Sequence, residues 1–364
     1  MIVVAKIGTS SITDDDGEIV RSAIAKLCAE VAAVRADAHQ VIVVTSGAIG
    51  AGLPALGLTG GRRPRDAVTL QAVAAVGQSR LMQVYNEAFA DHGLIAGQVL
   101  LAPLDFRDRK QYLHARGTLQ RLLELGVVPI VNENDAVADD EIRFGDNDRI
   151  AALVAHLVGA DLLVLLTDTA GVLTADPRFD REASLIEEIV EVDHALERVA
   201  GGAGTERGSG GMASKLAAAK IAAWSGVRTV IASASRERVL ADAVADRSGG
   251  GTVVLPHDRK LGARKLWIAF AVGSAGTIAV DAGARAALER GGASLLAAGI
   301  VGVHGDFDED DAVEIAGPDG SVFAKGLARV PAELVKEIAG KRRGELPDGV
   351  PSYVIHRDDL VVLP

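Results

Sequence analysis

Short apolar runs rich in β-branched residues alternate with longer helical segments through residues 1–256. Such runs are typical of strands buried on both faces, and the segments between them have apolar residues three and four positions apart, as helices do. Strands alternating with helices predict an α/β fold with a mostly parallel sheet sandwiched by helices. The predicted strands are Ile2–Val4, Val41–Thr45, Leu94–Leu100, Val127–Val131, Leu162–Leu166 and Thr229–Ile231, and the predicted helices are Ala23–Val34, Gln71–Phe89, Tyr112–Leu125, Asp148–Leu157 and Ala213–Trp224.

The pattern changes after residue 256. Residues 257–263 form a polar, basic stretch suited to a linker, and residues 264–364 are rich in short strand-like runs with glycine turns. This second part carries 11 Lys and Arg against 15 Asp and Glu. We therefore expect one domain over 1–256 and a small, mainly β, acidic domain over 264–364. Its predicted strands are Leu266–Val272, Thr277–Val280, Ala312–Ile315, Ser321–Ala324 and Ser352–Ile355.

Composition excludes several classes of protein. The 364-residue chain has a formal net charge of −11, so general binding to nucleic acid or to an anionic membrane is not expected. One cysteine, Cys28, cannot form an internal disulfide, which favours a reducing, cytoplasmic location. The eight histidines show no zinc-ligand spacing. The chain starts with a strand-like run rather than an export signal, and its longest uncharged run, 40–61, has too many glycines to span a membrane.

Two lysines lie beside glycine-rich turns in a chain that uses arginine for most of its basic residues. Lys6 ends the first predicted strand before Gly8, and Lys215 follows Gly210 and Gly211 at the start of a helix. Backbone N–H groups at such turns bind anions, and lysine adds a mobile positive charge. Neither turn matches a standard phosphate-loop or dinucleotide motif, and a single glycine-rich turn is more often an ordinary hairpin or helix cap. Together they predict two phosphate contacts.

Polar clusters follow successive predicted strands. Ligands of parallel sheets bind beyond the carboxyl ends of the strands, so we expect these clusters to meet. Asn and Asp side chains suit the ammonium and carboxylate groups of a zwitterion, and an aspartate between two phosphate-binding lysines can hold both in place. Asp148 by itself fits a helix N-cap equally well. The clusters are Thr45-Ser46-Gly47, Asn132-Glu133-Asn134-Asp135, Gly145-Asp146-Asn147-Asp148 and Thr167-Asp168.

Taken in order, these motifs resemble the glutamate 5-kinase family of the amino acid kinase superfamily over essentially the whole chain. The C-terminal part resembles the PUA domain that many members carry. Each motif is short, but the ordered series is highly specific. The matching stretches are Lys6-Ile7-Gly8-Thr9-Ser10, Thr45-Ser46-Gly47-Ala48-Ile49, Ala74-Ala75-Val76-Gly77-Gln78, Val131-Asn132-Glu133-Asn134-Asp135-Ala136-Val137, Gly145-Asp146-Asn147-Asp148, Thr174-Ala175-Asp176-Pro177 and Gly210-Gly211-Met212.

The resemblance implies an amino acid kinase domain over 1–256 and a PUA-like domain over 264–364. It implies ATP-dependent phosphorylation of the side-chain carboxylate of L-glutamate, the first step of proline biosynthesis. Lys6 and Lys215 would stabilise the transferred phosphoryl group, and Asp148 would orient both lysines. The glutamate-binding residues would be Ser46, Asn132, Asp135, Asp146 and Asn147. The ATP-binding residues would be Lys6, Gly8, Thr167, Asp168, Ser209, Gly210, Gly211, Met212, Ala213, Ser214 and Lys215.

The same resemblance implies Mg²⁺ as a cofactor, although no residue is assigned as its ligand. It also implies feedback inhibition by proline, a glutamyl phosphate reductase that receives the product, and a homo-oligomer. Two positions depart from the family pattern. Ser209 stands where threonine is usual, and Ala213 replaces a common serine. Both lie in the nucleotide segment, where backbone contacts tolerate a change of side chain, so neither alters the expected reaction.

Two alternative functions are compatible with parts of the sequence. An aspartate kinase or acetylglutamate kinase would share the sheet and the lysines, but the clusters at 132–135 and 146–148 and the C-terminal domain favour glutamate 5-kinase. An RNA-binding or RNA-modifying protein could be built around the C-terminal domain. Its acidity argues against RNA binding, and its one compact basic cluster, Lys341-Arg342-Arg343, resembles a solvated helix end.

Overall fold

The computed structural model describes residues 1–59, 64–106, 108–137, 147–175, 180, 182–193, 196, 211–258, 260–347 and 349–363. The chain divides into two compact units, Met1–Lys260 and Leu261–Pro364. The division between them falls inside the stretch 257–263 that the sequence assigns to a linker.

The first unit is built on an eight-stranded sheet in the order β3-β4-β2-β1-β5-β7-β8-β6. Every pair from β3 through to β7 is parallel, and β8 is antiparallel to β7. The predicted mostly parallel sheet is therefore confirmed, with one antiparallel pair towards its edge. The strands are β1 Ile2–Ile7, β2 Gln40–Thr45, β3 Ala96–Leu101, β4 Val128–Glu133, β5 Leu162–Thr167, β6 Glu188–Ile189, β7 Arg228–Ser233 and β8 Thr252–Val254.

Helices cover this sheet, and the central strands are almost completely buried. The five predicted helices all form, with ends that differ by up to four residues from the predicted ones. Within the described residues, three further helices, α1, α3 and α8, were not predicted. The helices are α1 Thr9–Ile12, α2 Arg21–Ala36, α3 Ala48–Ala55, α4 Ala67–Ala90, α5 Arg109–Glu124, α6 Asn147–Val158, α7 Met212–Trp224 and α8 Val239–Val244.

Two glycines allow α3 and α4 to pack with their backbones in contact. A Cβ at Gly77 of α4 would overlap the carbonyl oxygen of Ala48, and a Cβ at Gly52 of α3 would overlap the carbonyl oxygen of Val73. Before α3, Gly47 has φ +94°, a left-handed conformation that glycine adopts without strain. These glycines bring the middle of α4 close to the turn that follows β2.

The second unit has its own five-stranded sheet in the order β10-β9-β11-β12-β13 and its own apolar core. Neighbouring strands are antiparallel except β9 and β11, which are parallel. The strands are β9 Gly276–Val280, β10 Ile300–Gly305, β11 Ala312–Ala316, β12 Val322–Leu327 and β13 Leu360–Val362, and the helices are α9 Ala263–Leu266, α10 Ala282–Glu289 and α11 Ala332–Ile338.

Two predicted strands of this unit are wrong. The stretch 266–272 forms the end of α9 and then a π-helical turn, Trp267–Ala271. In the stretch 352–355, Ile355 makes only an isolated bridge with Leu295. Both stretches are short apolar runs, and periodicity alone does not distinguish such a run from a buried helical turn or a single bridge.

Candidate functional site

The carboxyl ends of the central strands lie at one edge of the first sheet. Ile7, the last residue of β1, is paired with Thr45, the last residue of β2. It is also paired with Leu166, one residue before the end of β5. The parallel order brings the residues that follow β1, β2, β4 and β5 to the same edge, which is where ligands of such sheets bind.

Two lysines and one aspartate form an ion-pair cluster at this edge. Asp148 Oδ1 lies 2.7 Å from Lys6 Nζ, and Asp148 Oδ2 lies 3.2 Å from Lys215 Nζ. Ser214 Oγ donates to Asp148 Oδ2 at 2.7 Å. The side chains of Lys6 and Lys215 are 4% and 6% exposed and that of Asp148 is 1% exposed, so the cluster is shielded from water. Each lysine thus comes from a different element, and one carboxylate holds both.

Burial raises the pKa of Asp148, but the charges of Lys6 and Lys215 and hydrogen bonds from Lys6 and Ser214 lower it to about 2, so Asp148 is ionised at neutral pH. Asp148 lies in the first turn of α6, whose partial positive end favours an anion. Because this residue is inside the helix and bound to two lysines, it is not an N-cap.

Beside the ion pairs lies a buried chain of amide side chains. Asn147 Nδ2 donates to Ser46 Oγ at 3.0 Å and to Asn132 Oδ1 at 3.1 Å. Asn132 Oδ1 also accepts from the backbone N–H of Glu133 at 2.9 Å, and Asn132 Nδ2 donates to Gln78 Oε1 at 2.6 Å. Three predicted glutamate-binding residues, Ser46, Asn132 and Asn147, are therefore in direct contact.

Asp135 is not part of this amide chain. It is half-buried in the turn after β4, and its carboxylate has no hydrogen bond or ion pair within the described part of the chain. Burial raises the pKa of Asp135 to about 6. A carboxylate in this environment gains more from an incoming cation than an exposed one does, because little water competes for it.

The residues predicted to bind ATP follow β1 and β5 or begin α7. Thr167 ends β5, and its hydroxyl donates to Asp168 Oδ1 at 3.1 Å. Gly211 is the N-cap of α7, and its carbonyl oxygen lies 2.9 Å from Ser214 Oγ. A Cβ at Gly8 would lie 3.5 Å from Lys6 Nζ, so glycine keeps open the space beside that ammonium. The remaining two residues, Met212 and Ala213, form the first turn of α7.

Three predicted site residues, Asp146, Ser209 and Gly210, lie outside the described residues. Sequence reasoning also missed one residue, Gln78, which had appeared only inside a matching stretch. Gln78 follows Ala74 by four positions and precedes Leu81 by three, and both of those residues are buried. A polar residue on the apolar face of a helix is the signal that could have identified it.

The described residues contain no group of three or more His, Cys, Asp or Glu side chains placed to hold a metal ion. Both oxygens of Asp148 already face lysines. In the same part of the chain, no helix is long and apolar enough to cross a membrane.

Known proteins resemble this chain over nearly its whole length. The model of the Amino acid kinase family matches residues 1–233, and that of the PUA domain matches residues 276–349. A protein of Pelobacter propionicus named glutamate 5-kinase is 43% identical in an alignment of 366 positions that covers 99% of this chain and 97% of that one. Proteins with the same name from Citrifermentans bemidjiense and Moorella thermoacetica are 45% and 44% identical, over 99% of this chain and 97% and 96% of theirs. The chain belongs to the glutamate 5-kinase family.

Membership makes the chain a phosphotransferase of the amino acid kinase superfamily with a C-terminal PUA domain. Two solved structures share the fold of the kinase part. A carbamate kinase from Giardia lamblia bound to AMP-PNP has a TM-score of 0.51 over 70% of this chain and 98% of its own. An isopentenyl phosphate kinase has a TM-score of 0.50 over 70% of this chain and 100% of its own. Each is 18% identical to this chain, so the likeness concerns the fold alone.

Proposed function

We propose that this protein transfers the γ-phosphoryl group of ATP to the side-chain carboxylate of L-glutamate and releases ADP and L-glutamyl 5-phosphate. The observation that carries the proposal is the cluster of Lys6, Asp148 and Lys215, which lies beside a buried chain of amides. Cations suit a phosphoryl group and amides suit an amino acid, and both lie where parallel sheets bind ligands. The glutamate 5-kinase relatives agree with this substrate.

The chemistry needs no general base. The side chain of glutamate has an ordinary pKa of about 4.3, so the nucleophile is already an anion at neutral pH. One carboxylate oxygen forms a bond to the γ-phosphorus while the bond from that phosphorus to the β,γ-bridging oxygen breaks and its electron pair leaves with ADP. The obstacle is repulsion between two anions. Lys6 and Lys215 would offset this repulsion, most strongly in the transition state.

Asp148 would act by holding those lysines in place. Its two oxygens contact one ammonium each, so a single carboxylate pairs with both lysines. Because Asp148 is ionised and almost fully buried, it also compensates part of their charge when no phosphate is bound. Asp148 is therefore proposed as a positioning residue for the two cations.

ATP would be held by Lys6, Gly8, Thr167, Asp168 and the start of α7 through Lys215. The backbone N–H groups at that helix start suit phosphate oxygens. Mg²⁺ would accompany ATP, but the described residues offer no ligand set for it, and magnesium is often held mainly by phosphates and water. We therefore derive no step through this ion.

Glutamate would be held by Ser46, Asn132, Asp135 and Asn147, with Asp146 as a further predicted contact. Asp135 would face the α-ammonium, because its half-buried carboxylate lacks a cationic partner within the described residues. A place in proline biosynthesis, inhibition by proline, transfer of the product to a reductase, a homo-oligomeric state, a cytoplasmic location and the absence of RNA binding remain predictions.

A hydroxylamine-capture assay tests the proposed reaction. Hydroxylamine converts an acyl phosphate into a hydroxamate, which forms a coloured complex with ferric iron. The assay therefore detects the formation of an acyl phosphate. Purified protein with ATP and Mg²⁺ is assayed with L-glutamate, L-aspartate, N-acetyl-L-glutamate and L-glutamine in parallel. We expect hydroxamate with glutamate, much less with aspartate and acetylglutamate, and none with glutamine, which lacks a carboxylate at that position. Preference for acetylglutamate or aspartate would overturn the proposal.

A further inference from the structure

One backbone N–H group fixes the direction of the amide chain beside the lysines. The N–H of Glu133 can only donate, so the atom of Asn132 that faces it must be the side-chain oxygen. The Nδ2 group of Asn132 therefore faces Gln78 and donates to Gln78 Oε1 at 2.6 Å. By the same reasoning, Asn147 turns its Nδ2 group towards Asn132 Oδ1.

With this direction, one donor and one acceptor at the ends of the amide chain have no hydrogen-bond partner among the described residues. Gln78 Nε2 and Asn147 Oδ1 are buried and have no hydrogen-bond partner in the described part of the chain. Gln78 and Asn147 are only 8% and 5% exposed, so water does not readily satisfy them. A buried polar group without a partner is costly, and a bound ligand is one way to satisfy it.

The chemistry of glutamate decides what Asn147 Oδ1 can bind. At neutral pH the α-ammonium is the only hydrogen-bond donor of the amino acid, since both carboxylates only accept. An unpartnered acceptor in the substrate site can therefore meet glutamate only through its ammonium group.

Gln78 protects this acceptor from a competitor inside the protein. Asn132 Nδ2 is a neighbouring donor, and it would need another acceptor if Gln78 Oε1 were absent. Asn147 Oδ1 is the unpartnered acceptor on the adjacent side chain. Gln78 is held at this place because Gly77 seats α4 against the backbone of Ala48.

We propose that Gln78 is a positioning residue for substrate recognition: it occupies the donor of Asn132 and so keeps Asn147 Oδ1 available for the substrate ammonium. The inference rests on the proposed function, because it assumes that an amino acid binds at these residues. It assigns Gln78 no contact with ATP and no part in phosphoryl transfer.

The test compares glutamate with glutarate, which is the same dicarboxylate without the ammonium group. The KM for glutamate and the inhibition constant of glutarate are measured for the wild type and three variants, and their ratio reports recognition of the ammonium. Gln78→Met removes the accepting oxygen at similar length. Gln78→Glu keeps an oxygen for Asn132. A negative charge that it adds repels the carboxylates of both ligands and attracts only the ammonium of glutamate, so the charge alone can raise the preference for glutamate but cannot lower it.

The third variant, Gln83→Met, is the matched control. It makes the same substitution on the exposed side of α4, where Gln83 donates to Glu87 at 2.9 Å. Melting temperature and the KM for ATP are measured for every variant, because a disturbed fold would change both.

In Gln78→Met we expect preference for glutamate over glutarate to fall about tenfold or more, which is the loss typical of one hydrogen bond to a charged group. The kcat and the KM for ATP should change little, because both lysines are untouched. Gln78→Glu should keep or raise the preference, because an oxygen still accepts from Asn132 and an added negative charge favours the ammonium. Gln83→Met should leave the preference unchanged.

Unchanged preference in folded Gln78→Met would overturn the proposal. Equal weakening of glutamate and glutarate would do the same, since it would indicate a general structural role. A large fall in the preference for glutamate in Gln78→Glu would also contradict the proposal. This result overturns the proposal even if Gln78→Met does not fold. Wild-type protein without glutamate-dependent transfer would instead overturn the proposed function, and this inference with it.

Discussion

Asp148 illustrates how a single buried residue links stability to the proposed chemistry. Its depressed pKa means that the folded state favours the ionised form. The stabilisation is therefore present above the ordinary pKa of about 3.9 and is lost as pH falls towards 2. Removing one partner of a buried ion pair typically costs about 3–5 kcal/mol, so a neutral residue at 148 is expected to lower stability as well as activity.

The two lysines should matter for turnover far more than for substrate binding. We expect Lys6→Ala and Lys215→Ala each to lower kcat about a hundredfold or more, because one positioned charge at a transferring phosphoryl group has an effect of that size. The KM for glutamate should change much less. Steady-state kinetics with both substrates varied is the measurement. Lys110→Ala, at an exposed lysine in the first turn of α5, is the control. Near-normal kcat in either site variant would contradict the assignment.

Asp135 should give glutamate binding a pH dependence. Its pKa is raised to about 6, so it is largely protonated at pH 5 and largely ionised at pH 7. If the ionised form binds the ammonium, the KM for glutamate should fall from pH 5 to 7, because the carboxylates of glutamate are already mostly ionised at pH 5 and its ammonium keeps its charge up to pH 7. The ammonium of bound glutamate should also lower the pKa of Asp135, so this carboxyl should titrate at a lower pH in the glutamate complex than in the free protein. Asp135→Asn should raise the KM at pH 7 and flatten the profile, whereas an unchanged profile in that variant would exclude Asp135 as the source.

At the scale of elements, α3 shows why some structure was not predictable. The segment 48–55 contains two internal glycines and a proline, all poor helix formers, and no helix was predicted there. The helix forms because Gly52 allows close contact with α4, and tertiary packing outweighs local propensity. The same close contact carries Gln78 to the amide chain.

The packing of α3 and α4 predicts opposite effects for two glycine-to-alanine changes. Gly77→Ala should lower the melting temperature, because its methyl group would overlap the backbone of Ala48, and backbone cannot move as cheaply as a side-chain tip. Gly117→Ala in α5 meets nothing within 4 Å and should stabilise by up to about 1 kcal/mol, the usual gain in a helix. Thermal melts of both variants decide. Equal changes in melting temperature in the two variants would mean that α3 and α4 move apart at little cost.

The buried strands were the most predictable elements, because runs such as Leu162–Leu166 are apolar on both faces and bounded by polar residues. The stretch 266–272 was wrongly predicted as a strand. Leu266, Trp267 and Ile268 are consecutive apolar residues that are all buried in helical turns, and in sequence such a run resembles a buried strand. Strand β10 was missed because glycines interrupt its apolar run, and β13 was missed because it has only three residues.

The candidate site follows the same logic. Residues at strand ends, such as Ser46, Asn132 and Thr167, could be predicted because a parallel sheet brings its carboxyl ends together. Their pairing could not, because the contact between Asn147 and Ser46 depends on where α6 begins relative to β2. Gln78 could not be predicted in this way, because it lies in the middle of a helix and not at the carboxyl end of a strand.

At the scale of the whole molecule, each compact unit has a separate apolar core. The core around β1 and β2 uses residues from Val3 to Ala243, and the core of the C-terminal unit uses residues from Ile278 to Leu360. All proposed site residues precede Lys260. This separation predicts that the two units fold independently of one another.

A chain that ends at Lys260 should therefore keep glutamate-dependent phosphoryl transfer. We expect its kcat to stay within about tenfold of the full chain, since no proposed contact to substrate or phosphate is removed. The matched half, residues 261–364, should fold and have no activity, because it contains none of the proposed site residues. Circular dichroism and thermal melts establish folding of each half before the hydroxamate assay is run. A folded 1–260 chain without activity would mean that the PUA domain supplies part of the catalytic unit. A 1–260 chain that melts without cooperativity would instead mean that its core needs the second unit to be stable.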